Sequence, residues 1–179
     1  VASLNGVYTS LTQSYVADNY HYFTDVRANA TVVTNSGANS GIPYQFYNYT
    51  LTEENVYVYN RYSQLYKIIS RANTLFAHLG DVSYATPSAR DTYEAEARFL
   101  RALSYYWLVT EWGDVPLVLK VLESTEEVRA NNYRRPKAEI YQAIFDDLKY
   151  VTESPLLDVQ PASACGKVSK AAAWALWGK

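Results

Sequence analysis

EAEARFLRAL at Glu94–Leu103 and WGDVPLV at Trp112–Val118 are the two stretches that decide the fold class. Ala, Leu, Glu and Arg are strong helix formers, and they fill the first stretch. Gly113 can adopt the left-handed backbone conformation that ends a helix, and Pro116 prevents a helix from resuming close by. We expect Asp114 to hold the turn by bonding local amides. The two stretches therefore predict a helix and a sharp stop.

Apolar residues recur at helical spacing before this helix. Their steps of four and three residues mark one face of an α-helix, and the stripe comprises Val58, Tyr62, Leu65, Ile69, Ala72, Phe76 and Leu79. We expect Thr52 to cap this helix at its start and Gly80 to end it. Thr86-Pro87 predicts the start of the next helix, because proline is favoured at the first helical position. Two long helices joined by so short a connection are expected to lie antiparallel.

The rest of the chain alternates predicted helices with connecting segments. Helices are expected over about Ser3–Tyr20, from near Pro136, and over Ala171–Trp177, where Ser169 serves as the cap. The connections are predicted as an extended stretch and two loops: Val115–Val121, Glu123–Arg135 and Ser154–Gly166. The helix from Pro87 to Trp112 is apolar on two sides, and Phe99 is expected on its inner face.

Between about His21 and Leu51 the helical pattern breaks. NSGANSGIP at Asn35–Pro43 has the composition of turns and loops throughout. It leads into an aromatic cluster, YQFYNY, at Tyr44–Tyr49. Loops of this length are uncommon in a compact domain and are often functional. Two interpretations stay open, a lid strapped over the core by its aromatic rings and one wall of a ligand site.

The same segment carries polar side chains beside the aromatic rings. A carboxylate, a guanidinium and an amide can each bond vicinal hydroxyls, and aromatic faces suit the C–H faces of sugar rings. The candidate ligand-binding residues are Asp25, Arg27, Asn29, Tyr44, Tyr47 and Tyr49, with Phe46 in the same cluster. Because most of the 18 tyrosines are expected to pack between helices, the exposure of these rings discriminates between the two interpretations.

Several classes of site are disfavoured by the composition. Cys165 is the only cysteine, so an internal disulfide or a cysteine-based metal site is excluded. Asp146 and Asp147 are adjacent on a predicted helix, so they do not face each other as a catalytic carboxylate pair must. The net charge of −2, without a long single-sign run, argues against nucleic-acid binding. We expect no catalytic residue, metal or cofactor.

Four segments, taken together and in order, resemble the SusD/RagB family. They are YKIISRAN, EAEARFLRAL, EIYQAIFDDL and GKVSKAAA, at Tyr66–Asn73, Glu94–Leu103, Glu139–Leu148 and Gly166–Ala173, with the Gly-Asp-Val-Pro turn at the family's position. The resemblance extends from about Val56 onward. Family members are glycan- or nutrient-binding outer-membrane lipoproteins of Bacteroidetes on a tetratricopeptide-like scaffold.

The resemblance implies an all-α fold of tetratricopeptide-like helical hairpins with long connecting loops. Residues 1–179 would form one N-terminal helical domain of a longer protein, and the segment between the first two helices would contribute to the ligand site. For the charged residues of the helix after Pro87, we expect ion pairs along the helix, with anchoring to another helix as the family's alternative. These residues are Glu94, Glu96, Arg98 and Arg101.

The resemblance also implies a function. It implies a non-enzymatic protein that captures oligosaccharide at the cell surface and delivers it to a SusC-like TonB-dependent outer-membrane transporter. Attachment to the outer membrane would use a lipid anchor that this chain does not carry. The alternatives are a helical-repeat scaffold that only docks proteins and a peptide-binding member of the same family.

Overall fold

The computed structural model describes residues 2–179, with the backbone alone at residue 38, and the fold is all-α as predicted. The α-helices are α1 (Ala2–Leu11), α2 (Tyr44–Tyr47), α3 (Val56–Ala77), α4 (Pro87–Trp112), α5 (Thr125–Asn131), α6 (Lys137–Glu153) and α7 (Lys170–Trp177). A π-helical turn lies at Tyr22–Val26, and 3₁₀ turns lie at Ala38–Gly41, Leu79–Asp81 and Ala162–Ala164. Within the described residues, β-type pairing is limited to one bridge between Val115 and Arg135.

The chain divides into two compact units. One comprises Val1–Tyr8 together with Ile68–Lys179, and the other comprises Thr9–Lys67. The assignment of residues 1–179 to one domain stays a prediction. In the first unit, α4 packs along α6, and α6 packs against α7.

Helix α4 begins and ends where the sequence predicted. Thr86 is the N-cap and Pro87 the first helical residue. Gly113 closes the helix with φ 77°, and its N–H donates to the carbonyl of Val109. The expected local role of Asp114 is wrong, because its Oδ1 accepts from the N–H of Lys137 at 3.0 Å. That N–H opens α6, whose N-cap position is a proline without a side-chain acceptor, so Asp114 caps α6 instead.

The inner face of α4 differs from the predicted one at Phe99. Phe99 is half-buried, whereas Leu100 is 1% exposed and Leu108 is fully buried. The other buried apolar positions of α4 are Ala95, Ala97, Ala102, Tyr105 and Val109. Three of these positions are alanines and one, Tyr105, is a large ring, whereas Phe99, Tyr106 and Trp107 are half-buried.

The charged residues of α4 form both of the arrangements considered. Arg98 Nη2 donates to Glu94 Oε1 at 2.7 Å along the helix. Arg101, in contrast, is buried, and its Nε and Nη2 donate to the two carboxylate oxygens of Asp147 on α6 at 2.8 Å. The family's alternative is therefore present beside the favoured arrangement, since Arg101 and Asp147 join two helices. The neighbouring Asp146 is exposed, and its Oδ1 accepts from Gln142 Nε2 at 2.8 Å.

The extended segment Val115–Val121 is held by side chains rather than by a neighbouring strand. The hydroxyl of Tyr105 donates to the carbonyl of Val118 at 2.9 Å and accepts from the Val118 N–H at 2.7 Å. Asn73 Nδ2 donates to the carbonyls of Val118 and Lys120. Arg101 Nη1 donates to the Leu119 carbonyl at 3.1 Å and to Asn73 Oδ1 at 2.7 Å.

The structure differs from the prediction at several helix boundaries and contains one helix that was not predicted. The first helix ends at Leu11 rather than near Tyr20. Helix α3 is capped by Asn55, not Thr52, because Asn55 Oδ1 accepts from the N–H groups of Tyr57 and Val58. The predicted polar loop Glu123–Arg135 contains α5. Ser124 and Glu127 are a Ser-x-x-Glu capping pair, so the sequence did carry a signal for α5.

Candidate functional site

The segment between α1 and α3 folds around buried aromatic rings within the unit Thr9–Lys67. Phe46 of α2 is fully buried and packs edge-to-face on Phe23 of the π-helical turn, with ring centroids 4.9 Å apart. Tyr57 of α3 lies against Phe46 and meets Tyr22 edge-on at 5.5 Å. Burial, with a smaller contribution from Tyr57, raises the pKa of Tyr22. Aromatic pairs at such distances attract each other, and these contacts stabilise the conformation of the loop.

Tyr44 and Tyr47 form a ring pair at the two ends of the single turn α2. Their centroids are 5.6 Å apart, and their planes are tilted by 44°. Both rings are half-buried, whereas Phe46 between them points into the core. The pair therefore presents aromatic surface at the protein boundary, on a helical turn whose Phe46 is buried.

Tyr49 is the most exposed of the three candidate tyrosines, with 63% of its surface accessible. Its hydroxyl donates to the carbonyl of Arg27 at 2.8 Å. This bond joins two parts of the loop that are 22 residues apart in sequence. It uses the backbone of Arg27 and leaves the exposed guanidinium outside this contact.

Asp25, Arg27 and Asn29 follow one another through the π-helical turn and the turn after it. All three are exposed. The Asp25 carbonyl accepts from the N–H groups of Ala30 and Thr31 at 2.8 and 3.3 Å, which closes the turn. Among the described hydrogen bonds, none joins the side chain of Asp25 or Asn29 to the tyrosine pair. The structure thus brings together Tyr44 with Tyr47 and Tyr49 with Arg27, and it leaves Asp25 and Asn29 on the surface of the turn.

Several backbone conformations in this loop are unusual for residues other than glycine. Asn29, Asn39, Ser40 and Tyr49 have φ of 60°, 46°, 59° and 59°. Asparagine tolerates this region, whereas tyrosine adopts it rarely, at a cost of about 1–3 kcal/mol. At Tyr49 the hydroxyl bond to Arg27 offsets part of that cost. Such strain is found most often where a loop has a specific shape to hold.

Two supporting residues were missed in the sequence. Besides capping α3, Asn55 donates through Nδ2 to the Ile42 carbonyl at 3.1 Å and to Gln45 Oε1 at 2.8 Å. Arg61 is fully buried, and its Nη1 donates to the Tyr15 carbonyl at 3.1 Å while its guanidinium lies 4.9 Å from the Phe23 ring centroid. An asparagine directly before the apolar start of α3 is a capping signal. The burial of Arg61 has no comparable local signal.

Two further properties bear on what this chain can do. Residues 2–179 include no group of three or more metal-ligating side chains. In that same range, no helix combines the length and apolarity that spanning a bilayer requires.

Comparison with known proteins now decides the family. A SusD-like family model, described as starch-binding and associating with the outer membrane, matches residues 2–179. The chain belongs to the SusD-like family. The SusD-like protein P2 of Formosa agariphila is 29% identical over 174 residues, which is 97% of this chain and 34% of that protein. The chain thus spans about a third of the length of this curated relative.

Solved SusD-like structures share the fold. A laminarin binding SusD-like protein superposes with a TM-score of 0.83 at 28% identity, over 99% of this chain and 38% of that one. Surface glycan-binding protein A from Bacteroides fluxus gives a TM-score of 0.77 at 21% identity, over 98% of this chain and 37% of that one. At 21% identity, the similarity to this second structure concerns the fold alone. The predicted SusD-like architecture is confirmed.

Proposed function

We propose that this SusD-like chain binds a glycan through the loop between α1 and α3. The observation that carries the proposal is the tilted pair of Tyr44 and Tyr47, half-exposed and on the same turn as the buried Phe46. A ligand site needs apolar faces that are ordered before binding, because ordering them afterwards costs free energy. The description of the family as starch-binding supports a saccharide as the ligand.

The polar part of the proposed site consists of Asp25, Arg27 and Asn29, with the hydroxyl edge of Tyr49 beside Arg27. These side chains offer acceptors, donors and an amide, which are the groups that orient the hydroxyls of a sugar. The rings supply contact area, and the polar groups select the orientation of the ligand. The positive φ at Asn29 and Tyr49 sets the course of the loop at these two residues, and at Tyr49 the conformation is strained.

We further propose a cellular role. The protein acts at the cell surface on the outer membrane, held by a lipid anchor, and passes oligosaccharide to a SusC-like TonB-dependent transporter without cleaving it. Residues 1–179 serve as its N-terminal helical domain. The family description, which associates these proteins with the outer membrane, supports the location. Co-purification of a SusC-like transporter with the tagged protein from outer-membrane extracts tests the partnership.

A double substitution tests the glycan site. Tyr44→Ala with Tyr47→Ala removes both rings and leaves Phe46, Asn55 and the turn at Asp25 in place. We expect the affinity for the bound polysaccharide to fall at least about tenfold, equivalent to ~1.4 kcal/mol. Native affinity gels with a panel of polysaccharides that includes laminarin find the ligand, and calorimetry measures the affinity per folded molecule.

The matched control removes two exposed tyrosines elsewhere. Tyr59 of α3 and Tyr133 after α5 are exposed, and neither belongs to the loop. Tyr59→Ala with Tyr133→Ala should leave the affinity unchanged. An unchanged affinity in the Tyr44 and Tyr47 variant would instead mean that the loop is a lid over the core. A protein that binds peptides but none of the polysaccharides would assign it to the peptide-binding alternative.

The absence of catalysis is tested separately. Purified protein incubated with its bound polysaccharide should leave the chain length unchanged by size-exclusion chromatography. Chain shortening that persists through purification and is lost on substitution of one acidic residue would contradict the proposal.

A further inference from the structure

A second concave site lies within the unit that comprises Val1–Tyr8 and Ile68–Lys179, and it contains none of the loop residues just described. It is a groove of about 480 Å³, here called the α1–α3 groove, lined among others by Leu4, Arg71, Leu75, His78, Tyr84 and Tyr93. Its volume falls in the range of small-molecule pockets, roughly 300–1,000 Å³. The groove contains no residue of the loop between α1 and α3, and the family description assigns it no role.

The floor and one wall of the groove are apolar. Leu4, Leu75 and Leu79 are buried and line it from below. Tyr84 and Tyr93 form a ring pair with centroids 6.0 Å apart and planes tilted by 49°. The Tyr84 hydroxyl donates to the Leu79 carbonyl at 2.9 Å, which fixes that ring before any ligand arrives.

The polar residues of the groove are basic or neutral. Arg71 is exposed, and its Nη1 donates to the Gly6 carbonyl at 2.8 Å, which ties the guanidinium to α1. Ser3 and Thr74 contribute hydroxyls, and His78 lies at the rim with its Nδ1 2.8 Å from the Asp81 carboxylate. No described lining residue is acidic, although the chain has 18 acidic and 16 basic side chains.

We propose that the α1–α3 groove is a second saccharide site and that it binds an acidic sugar. The tyrosine pair contacts the ring face, the hydroxyls of Ser3 and Thr74 bond sugar hydroxyls, and Arg71 pairs with the acid group. A guanidinium suits both carboxylate and sulfate because it presents donors in a planar fork. Charge-assisted bonds of this kind are about twice as strong as neutral ones, so the groove discriminates acidic from neutral sugars.

Glucose, glucuronic acid and glucose 6-sulfate are matched probes, since they differ at one carbon. Titration of the ¹⁵N-labelled protein, followed by amide shifts at Gly6, Thr74 and Val82, reports binding in the groove. We expect glucuronic acid or glucose 6-sulfate to bind at least about tenfold more tightly than glucose, and the two arms identify the preferred acid group. Equal binding by N-acetylglutamate would overturn the proposal, because the site would then recognise charge without a sugar.

Two variants locate the binding. Arg71→Gln should raise the Kd for the acidic sugar about tenfold, whereas Arg129→Gln, on the exposed face of α5, should leave it unchanged. Gly6→Leu keeps Arg71 and places a side chain in the groove, and a Cβ at Gly6 meets no atom within 4 Å. Leucine is also the better helix former, so this variant should fold and lose binding. Binding retained in Gly6→Leu would overturn the proposal.

The two sites are tested independently. The variant lacking the Tyr44 and Tyr47 rings should bind the acidic monosaccharide in the groove as the unchanged protein does. Loss of groove binding in that variant would contradict a separate second site, whereas loss of polysaccharide binding alone concerns only the loop.

Discussion

Arg101 of α4 donates two hydrogen bonds of 2.8 Å to the carboxylate of Asp147 on α6. The two side chains are buried, with 6% of Arg101 and 3% of Asp147 exposed. The same Asp147 accepts from Arg98 at 2.9 Å, and the Arg101 guanidinium lies 4.7 Å from the Phe76 ring centroid. A buried pair of this kind is costly to break from one side, because the remaining charge stays in the interior unpaired.

Asp147→Ala should therefore lower the free energy of unfolding by about 3–5 kcal/mol. Asp146→Ala is the matched control one residue away, and because Asp146 is exposed its effect should stay within about 0.5 kcal/mol. Urea unfolding followed by circular dichroism measures both. Equal effects of the two substitutions would show that the ion pair is not what holds α4 to α6.

Tyr8 gives a prediction about alkaline pH. Its hydroxyl donates to Glu96 at 2.6 Å and accepts from the Val168 N–H at 3.0 Å. Burial first, and then the bond to Glu96, raises the pKa of Tyr8. Below about pH 10 both the folded and the unfolded chain keep the phenol proton. Above it only the folded chain keeps the proton, so the contribution of Tyr8 to stability falls as the pH rises.

Tyr8→Phe should cost about 2 kcal/mol at neutral pH, because it removes a hydrogen bond to a charged acceptor. The difference in free energy of unfolding between the variant and the wild-type protein should shrink between about pH 9 and pH 11. Tyr59→Phe, an exposed tyrosine on α3, is the control and should show neither effect. A difference that stays constant with pH would exclude the predicted linkage.

The inner face of α4 is tested by two adjacent residues. Leu100→Ala should destabilise by about 2–5 kcal/mol, as expected for a fully buried leucine. Phe99→Ala should cost less, about 1–2 kcal/mol, because the ring is half-buried and loses less contact. Thermal unfolding measures the stability lost in each variant. A larger loss for Phe99→Ala than for Leu100→Ala would show that Phe99 lies on the inner face, as the sequence predicted.

Asp114 caps a helix that begins 23 residues further along the chain. Asp114→Ala should destabilise by about 1 kcal/mol through the unsatisfied N–H of Lys137. Asp114→Asn keeps a side-chain acceptor, so it should destabilise the protein by less than half of that amount. Hydrogen exchange in the first turn of α6 should speed up in the alanine variant, and unchanged exchange there would contradict the capping role.

Local signals were sufficient to predict the long helices. Thr86-Pro87 and Gly113 define α4 because caps depend on residues within one turn of the helix end. The same rule predicts α5 from Ser124 and Glu127, and it was outweighed by the polar composition of the segment. The early end of α1 at Leu11 had no such signal, since Tyr15 and Ala17 continue the apolar spacing.

Contacts between distant residues were beyond local patterns. Asp114 had a local turn as its obvious partner, and nothing near it in sequence points to Lys137. The same holds for Arg101 and Asp147, which are 46 residues apart. In the candidate site, composition located the loop and its aromatic cluster, whereas the tether between Tyr49 and Arg27 and the supporting role of Asn55 depend on the folded chain.

The hydroxyl of Tyr105 has a consequence for solubility. An extended segment without a neighbouring strand exposes backbone groups that can recruit a strand from another molecule. At Val118 both of these groups are occupied by Tyr105, and the next two carbonyls are occupied by Arg101 and Asn73. The carbonyl of Val115 accepts from the N–H of Arg135 at 2.9 Å. Helix side chains thus cover an edge that would otherwise be open to intermolecular β-pairing.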